Sequence, residues 1–267
     1  MILFLFLSHL GLGIVFTLVF VSREAGVKFF RFNAGLAAIL IAIGLAFHPS
    51  SAEAGRAARV ALAALGLAEA ATVIYWATVG RSLAAVRPAI VATAVAAGVV
   101  AIVLQAIDAA AGGTSTLQAL TIASFLSSAA LLGGACTAMI LGHWYLVIPS
   151  MQVSHLQSIV RVHIASMVVR VIVVAAAVWL AIAAALTEQP PPGPSFRHYI
   201  TSVAGIFFWQ RVLFGLFGPA VLSYLTWETA KIRSTQSATG ILYVDFFTVV
   251  VGEVLAKYIL IATRVPV

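Results

Sequence analysis

Charge is scarce in this chain. Of 267 residues, 15 are Lys or Arg and 8 are Asp or Glu, against 63% hydrophobic residues. A soluble domain carries roughly 25% charged residues, so the 9% found here excludes that class. Cysteine is scarcer still. The single Cys136 leaves no internal disulfide and no Cys-based metal or iron–sulfur motif. No Gly-rich phosphate loop with its Lys occurs, which argues against a P-loop ATP-driven motor within these residues. No connection is long enough to hold a folded extramembrane module. No internal repeat is evident, which weighs against an inverted-repeat transporter.

Long apolar runs fill the space that charge leaves. Eight are read, over residues 2–21, 34–47, 58–79, 88–108, 117–147, 160–187, 200–226 and 240–262. Bilayer hydrocarbon is about 30 Å thick and takes roughly 20 apolar residues as a helix. The expected fold is therefore all-α: one integral membrane domain over 1–267, a polytopic bundle of about eight transmembrane helices. Spans rich in Ala and Gly, such as Gly11/Gly13, Gly133/Gly134 and Gly215/Gly218, predict close backbone packing. The first run lacks a basic segment before it and a small-residue cleavage pattern after it, so it reads as an uncleaved span. Pro149 is expected to end the fifth span, and the proline-rich stretch 188–195 reads as a surface connection.

A net charge of +7 would suggest nucleic acid in a soluble protein. Here the bases lie between spans and read as an orientation signal, with lipid rather than nucleic acid as the partner. The odd connections carry Arg23, Lys28, Arg31, Arg81, Arg87, Arg161, Lys231 and Arg233; the even ones and the C-terminal tail carry Arg56, Arg59, Arg197 and Arg264. Eight against four places the odd connections in the cytoplasm and both termini outside, as in an integral protein of a bacterial inner membrane.

Inside a bilayer a charged side chain costs ~2.5–3.5 kcal/mol at mid-helix on insertion scales. Each one therefore asks for a reason. Three of the six histidines fall between His143 and His163. His143 near the end of the fifth span and His163 in the first turn of the sixth are expected at one membrane depth, where two imidazoles can bracket a haem iron. His143, Trp144 and Tyr145, with nearby Gln and Ser, also resemble the polar wall of a quinone pocket; interfacial anchoring is the plainer use of the same aromatics. Arg170 lies two turns beyond His163 on the same face. Arg211 sits near the centre of the seventh span and needs an acid, for which Glu69 and Glu253 are the candidates, or else a cofactor carboxylate, a quinone carbonyl or water. Glu253 and Lys257 stand i,i+4 and are expected to pair. His9 sits beside Gly11 and Gly13, which leave room for a flat macrocycle or another helix.

The last span contains Gly252-Glu253-Val-Leu-Ala-Lys-Tyr-Ile-Leu. With eight spans and no extramembrane domain, it resembles the membrane anchors of the polysulfide-reductase and DMSO-reductase type. That resemblance implies a quinone-reactive subunit of an oxidoreductase complex, which exchanges electrons with a redox partner subunit of iron–sulfur or cytochrome c type. Such anchors usually lack haem; the three clustered histidines suggest a haem b-bearing cousin. The expected function is thus a quinone-interacting, haem b-admitting membrane subunit of a respiratory complex. Two other classes fit the same residues: a secondary transporter or channel with Glu69, Arg170, Arg211 and Glu253 along a midplane path, and a purely structural anchor.

Overall fold

The computed structural model describes residues 1–49, 55–147, 152–184 and 195–267. Pro149 and the proline-rich stretch up to residue 194 lie outside them. The described chain is an all-α bundle: α1 (Ile2–Leu18), α2 (Gly26–Ala46), α3 (Arg56–Thr78), α4 (Arg87–Ala109), α5 (Ser115–Val147), α6 (Val153–Ala184), α7 (Phe196–Thr201), α8 (Ile206–Val212), α9 (Gly218–Lys231) and α10 (Thr235–Thr263). Among the described residues, seven helical stretches are long and apolar enough to cross a membrane, and α1 adds a shorter apolar helix of 17 residues. At 1.5 Å per residue α1 reaches about 26 Å, near the lower limit for a span.

Helix α5 is the axis of the bundle. Its most apolar window is 83% buried, against 22–44% for the other spans. Small residues make that position possible: a Cβ on Gly133 would fall 2.0 Å from the carbonyl carbon of Gly13, so α1 and α5 touch backbone to backbone there. Helices α1, α4, α6 and α10 pack around α5. At the end where α5 gives way to α6, the Tyr145 hydroxyl donates to the Gln152 carbonyl and accepts from the Leu156 N–H at 3.2 Å. This clamp holds the two antiparallel helices together at that end.

Several spans start ahead of their expected limits, α6 at Val153 rather than near residue 160, and two of them differ for clear local reasons. Helix α2 begins at Gly26, ahead of its apolar run 34–47 and of the residues 29–33 expected as its interfacial start. Ser22 caps the preceding 3₁₀ turn by accepting from the Glu24 N–H, and the polar Asn33 satisfies itself on the Phe29 carbonyl. The seventh span is not one helix. It runs α7, a 3₁₀ turn (Val203–Gly205), α8, a π turn (Leu213–Phe217) and α9. Pro219 lacks the N–H that would bond to the Gly215 carbonyl, and its ring crowds that oxygen, so the ladder widens just before it.

Candidate functional site

Four buried charged side chains meet in one cluster. Glu253 on α10 is fully buried and receives three cations from three helices. Arg170 of α6 is bidentate on it, Nε to Oε1 at 2.9 Å and Nη2 to Oε2 at 3.1 Å. Arg211 of α8 donates Nη2 to Oε1 at 3.0 Å. Lys257, one turn along α10, stands 3.7 Å from Oε2 and donates to Ser128 Oγ at 2.7 Å, while Ser128 donates to Oε2 at 2.5 Å. Nη1 of Arg170 continues to α5, to Ser124 Oγ at 2.7 Å and Ser127 Oγ at 3.5 Å, and its Nη2 also reaches the backbone oxygen of Val267 at 3.2 Å. Of the two acids expected for Arg211, Glu253 is thus the one it meets. Room for the guanidinium comes from glycine: a Cβ on Gly215 would sit 2.1 Å from Arg211 Nη1, and a Cβ on Gly252 would sit 2.1 Å from the Gly215 Cα. The π turn places Gly215 at that crossing.

A second buried pair lies on the same two helices. His163 Nε2 stands 2.7 Å from Asp245 Oδ2, and both side chains are sealed from solvent. The two atoms approach closely without forming a hydrogen bond. His163 and Arg170 are seven residues apart on α6, and Asp245 and Glu253 eight apart on α10. As sixth and eighth spans, α6 and α10 run in the same direction, so the two pairs form successive rungs. Asp245 was not among the expected residues, although an acid eight residues before Glu253 inside an apolar run was a visible signal.

The histidines do not gather. His163 faces Gly134, whose Cβ would lie 3.5 Å from its Nδ1. His143 is nine residues further along α5, about 13 Å on the helix axis. The expectation of a shared depth is therefore corrected: the clamp at Tyr145 and Leu156 sets the register, and His163 is already two turns inward from it. His143 is exposed and its Nδ1 contacts the Tyr243 hydroxyl at 3.1 Å. The two rings point to different neighbours and do not fit the two faces of one haem. Trp144 packs edge-on against Phe29, Tyr145 serves the clamp, and His155 meets Glu24 at 2.6 Å. His9 is buried on the far side of the network, where its Nε2 contacts Gln105 Oε1 at 3.3 Å and its ring meets Phe125, over which Lys257 Nζ sits 5.1 Å from the centroid. Glu69, expected in an ion pair, has none among the described residues: it is half-buried on α3 and its Oε2 has no partner. No group of three or more His, Cys, Asp or Glu among the described residues is arranged to hold a metal ion.

Beside this network lies an apolar cavity of about 500 Å³ between α1, α4, α5 and α6. Its walls include Leu12, Phe16, Gly98, Val99, Leu126 and Val169, and its polar side chains are Ser127 and Ser166. Ser127 is the hydroxyl that Arg170 approaches. The cavity thus backs onto the Arg170–Glu253 pair through one serine. Comparison with protein-family models and with curated proteins finds no match to this chain.

Proposed function

We propose that this chain is the quinone-interacting membrane subunit of an electron-transfer complex, of the polysulfide-reductase and DMSO-reductase anchor type. One observation carries the reading: an apolar cavity of about 500 Å³ within the spans meets a buried Arg–carboxylate network through Ser127. A membrane-soluble quinone needs an apolar chamber for its ring and tail and a polar group at one wall for a carbonyl. Ser127 supplies that group, and Arg170 behind it favours negative charge at the same wall. Taking up two electrons and two protons converts a quinone to its quinol; a redox partner subunit of iron–sulfur or cytochrome c type supplies the electrons. Haem b is not required. The base-rich end faces the cytoplasm of a bacterial inner membrane in this reading.

The test is photolabelling of the purified protein in lipid nanodiscs with an azido-quinone. Label is expected on peptides of α4 to α6 around the cavity, and Val99→Trp, which fills it, should remove the label while the protein stays folded. Labelling that persists in Val99→Trp, or label spread evenly over the spans, overturns the reading. A second reading has its own support. Arg170, Arg211 and Glu253, three of the four residues of the charged-path alternative, meet in one cluster. Proton or anion flux in proteoliposomes of the chain alone, abolished by Glu253→Gln, favours that path.

A further inference from the structure

At the base-rich end of the bundle a groove of about 440 Å³ opens between α2 and α3. Its α2 wall is Lys28, Arg31, Phe32, Gly35, Leu36 and Ile39. At 3.6 residues per turn these positions form a single stripe. The stripe changes character along its length. Lys28 and Arg31 stand in the first turns of the helix, and Phe32, Leu36 and Ile39 carry the same face toward the interior of the span. From Phe32 to Ile39 the apolar part runs about 10 Å.

The facing wall is Trp76 of α3. Arg31 lies over its ring, 5.7 Å from the centroid, and Gly35 lets the indole close in, since a Cβ there would meet Nε1 at 2.7 Å. A tryptophan at this level belongs to the membrane–water interface. Neither Lys28 nor Arg31 has an acidic partner among the described residues: the nearby Glu24 is engaged by His155. The groove therefore presents two uncompensated cations at the headgroup level and an apolar trough below them.

From that sequence of chemistry along one stripe, we infer that the α2–α3 groove binds an anionic phospholipid, with its phosphate on Lys28 and Arg31 and one acyl chain along Phe32, Leu36 and Ile39. Two bases select negative headgroups, because Lys and Arg near a bilayer surface attract anionic lipid. The apolar trough selects a lipid over a free anion. The site is separate from the cavity between α1, α4, α5 and α6 and does not depend on what that cavity holds.

Native mass spectrometry of the protein released from nanodiscs of equal phosphatidylglycerol and phosphatidylcholine tests this. The expected result is one retained lipid with about tenfold preference for phosphatidylglycerol. Lys28→Ala/Arg31→Ala should bring the preference close to unity. Arg56→Ala/Arg59→Ala, which removes two bases at the opposite end, should leave it intact. Ile39→Trp, which fills the lower trough and touches no charge, should lower retention of the lipid without changing the fold. The inference is overturned if the wild-type protein shows no preference, if the Arg56/Arg59 variant loses it equally, or if excess inorganic phosphate displaces the lipid completely, which would mark a bare anion site.

Discussion

Neutralising one carboxylate should loosen four helices at once. Glu253→Gln keeps the shape of the side chain and removes the one side-chain anion among the described residues that contacts Arg170, Arg211 and Lys257. The three guanidinium hydrogen bonds, at 2.9–3.1 Å, and the Ser128 hydrogen bond at 2.5 Å then face an amide that can accept on one atom only. Breaking a buried pair by removing one partner costs about 3–5 kcal/mol, because the other charge stays buried and unpaired. With three cations left behind, the loss should reach the upper part of that range. Equilibrium unfolding in mixed micelles, followed by tryptophan fluorescence, measures it. The cause is separable from mere size. Replacing Arg211 by Gln in the Glu253→Gln background should cost far less than Arg211→Gln alone, since the cation has already lost its partner. A loss below about 1 kcal/mol for Glu253→Gln, or additive single costs in the double variant, would refute the view that one carboxylate organises the cluster.

Packing gives a contrast of two glycines. Gly133→Ala sets a methyl against the Gly13 backbone, which has no side chain to move aside, and should destabilise by about 1–3 kcal/mol; Gly240→Ala, with nothing within 4 Å, should stabilise by roughly 0.5–1 kcal/mol. Both are read by the same unfolding assay, and equal effects would contradict the α1–α5 contact. Orientation is checked with single cysteines at Ile2 and Ser234 in a Cys136→Ala background: a membrane-impermeant maleimide should reach position 2 from outside and position 234 only from the cytoplasm.

How much of this was legible depended on what the bilayer penalises. The spans were readable because length and apolarity are what hydrocarbon demands, and Arg170, Arg211, Glu253 and Lys257 stood out because charge there is expensive. Register along the helices was not readable. Hydropathy gives the extent of a span but not which residue faces which, and that is set by backbone contacts at glycine and by the Tyr145 clamp. His143 and His163 looked level because both lie near one connection. The break in the seventh span was missed as well, although Pro219 within the run 200–226 was a visible signal. Register can be tested directly at the point where expectation and structure part. A Cβ on Gly134 would lie 3.7 Å from the Cβ of His163, within the range of about 3.5–4.5 Å found across disulfides. Gly134→Cys/His163→Cys, with Cys136→Ala to remove the native thiol and Asp245→Asn to avoid an unpaired acid, should therefore cross-link under mild oxidation. The cross-link ties α5 to α6, and cleavage at a protease site engineered between the two helices reveals it as a shift on non-reducing gels. His143→Cys/His163→Cys in the same background should not cross-link, because the offset of about 13 Å exceeds any disulfide reach. Cross-linking of the 143–163 pair in preference to 134–163 would restore the shared depth, and with it the geometry for two imidazoles on one haem.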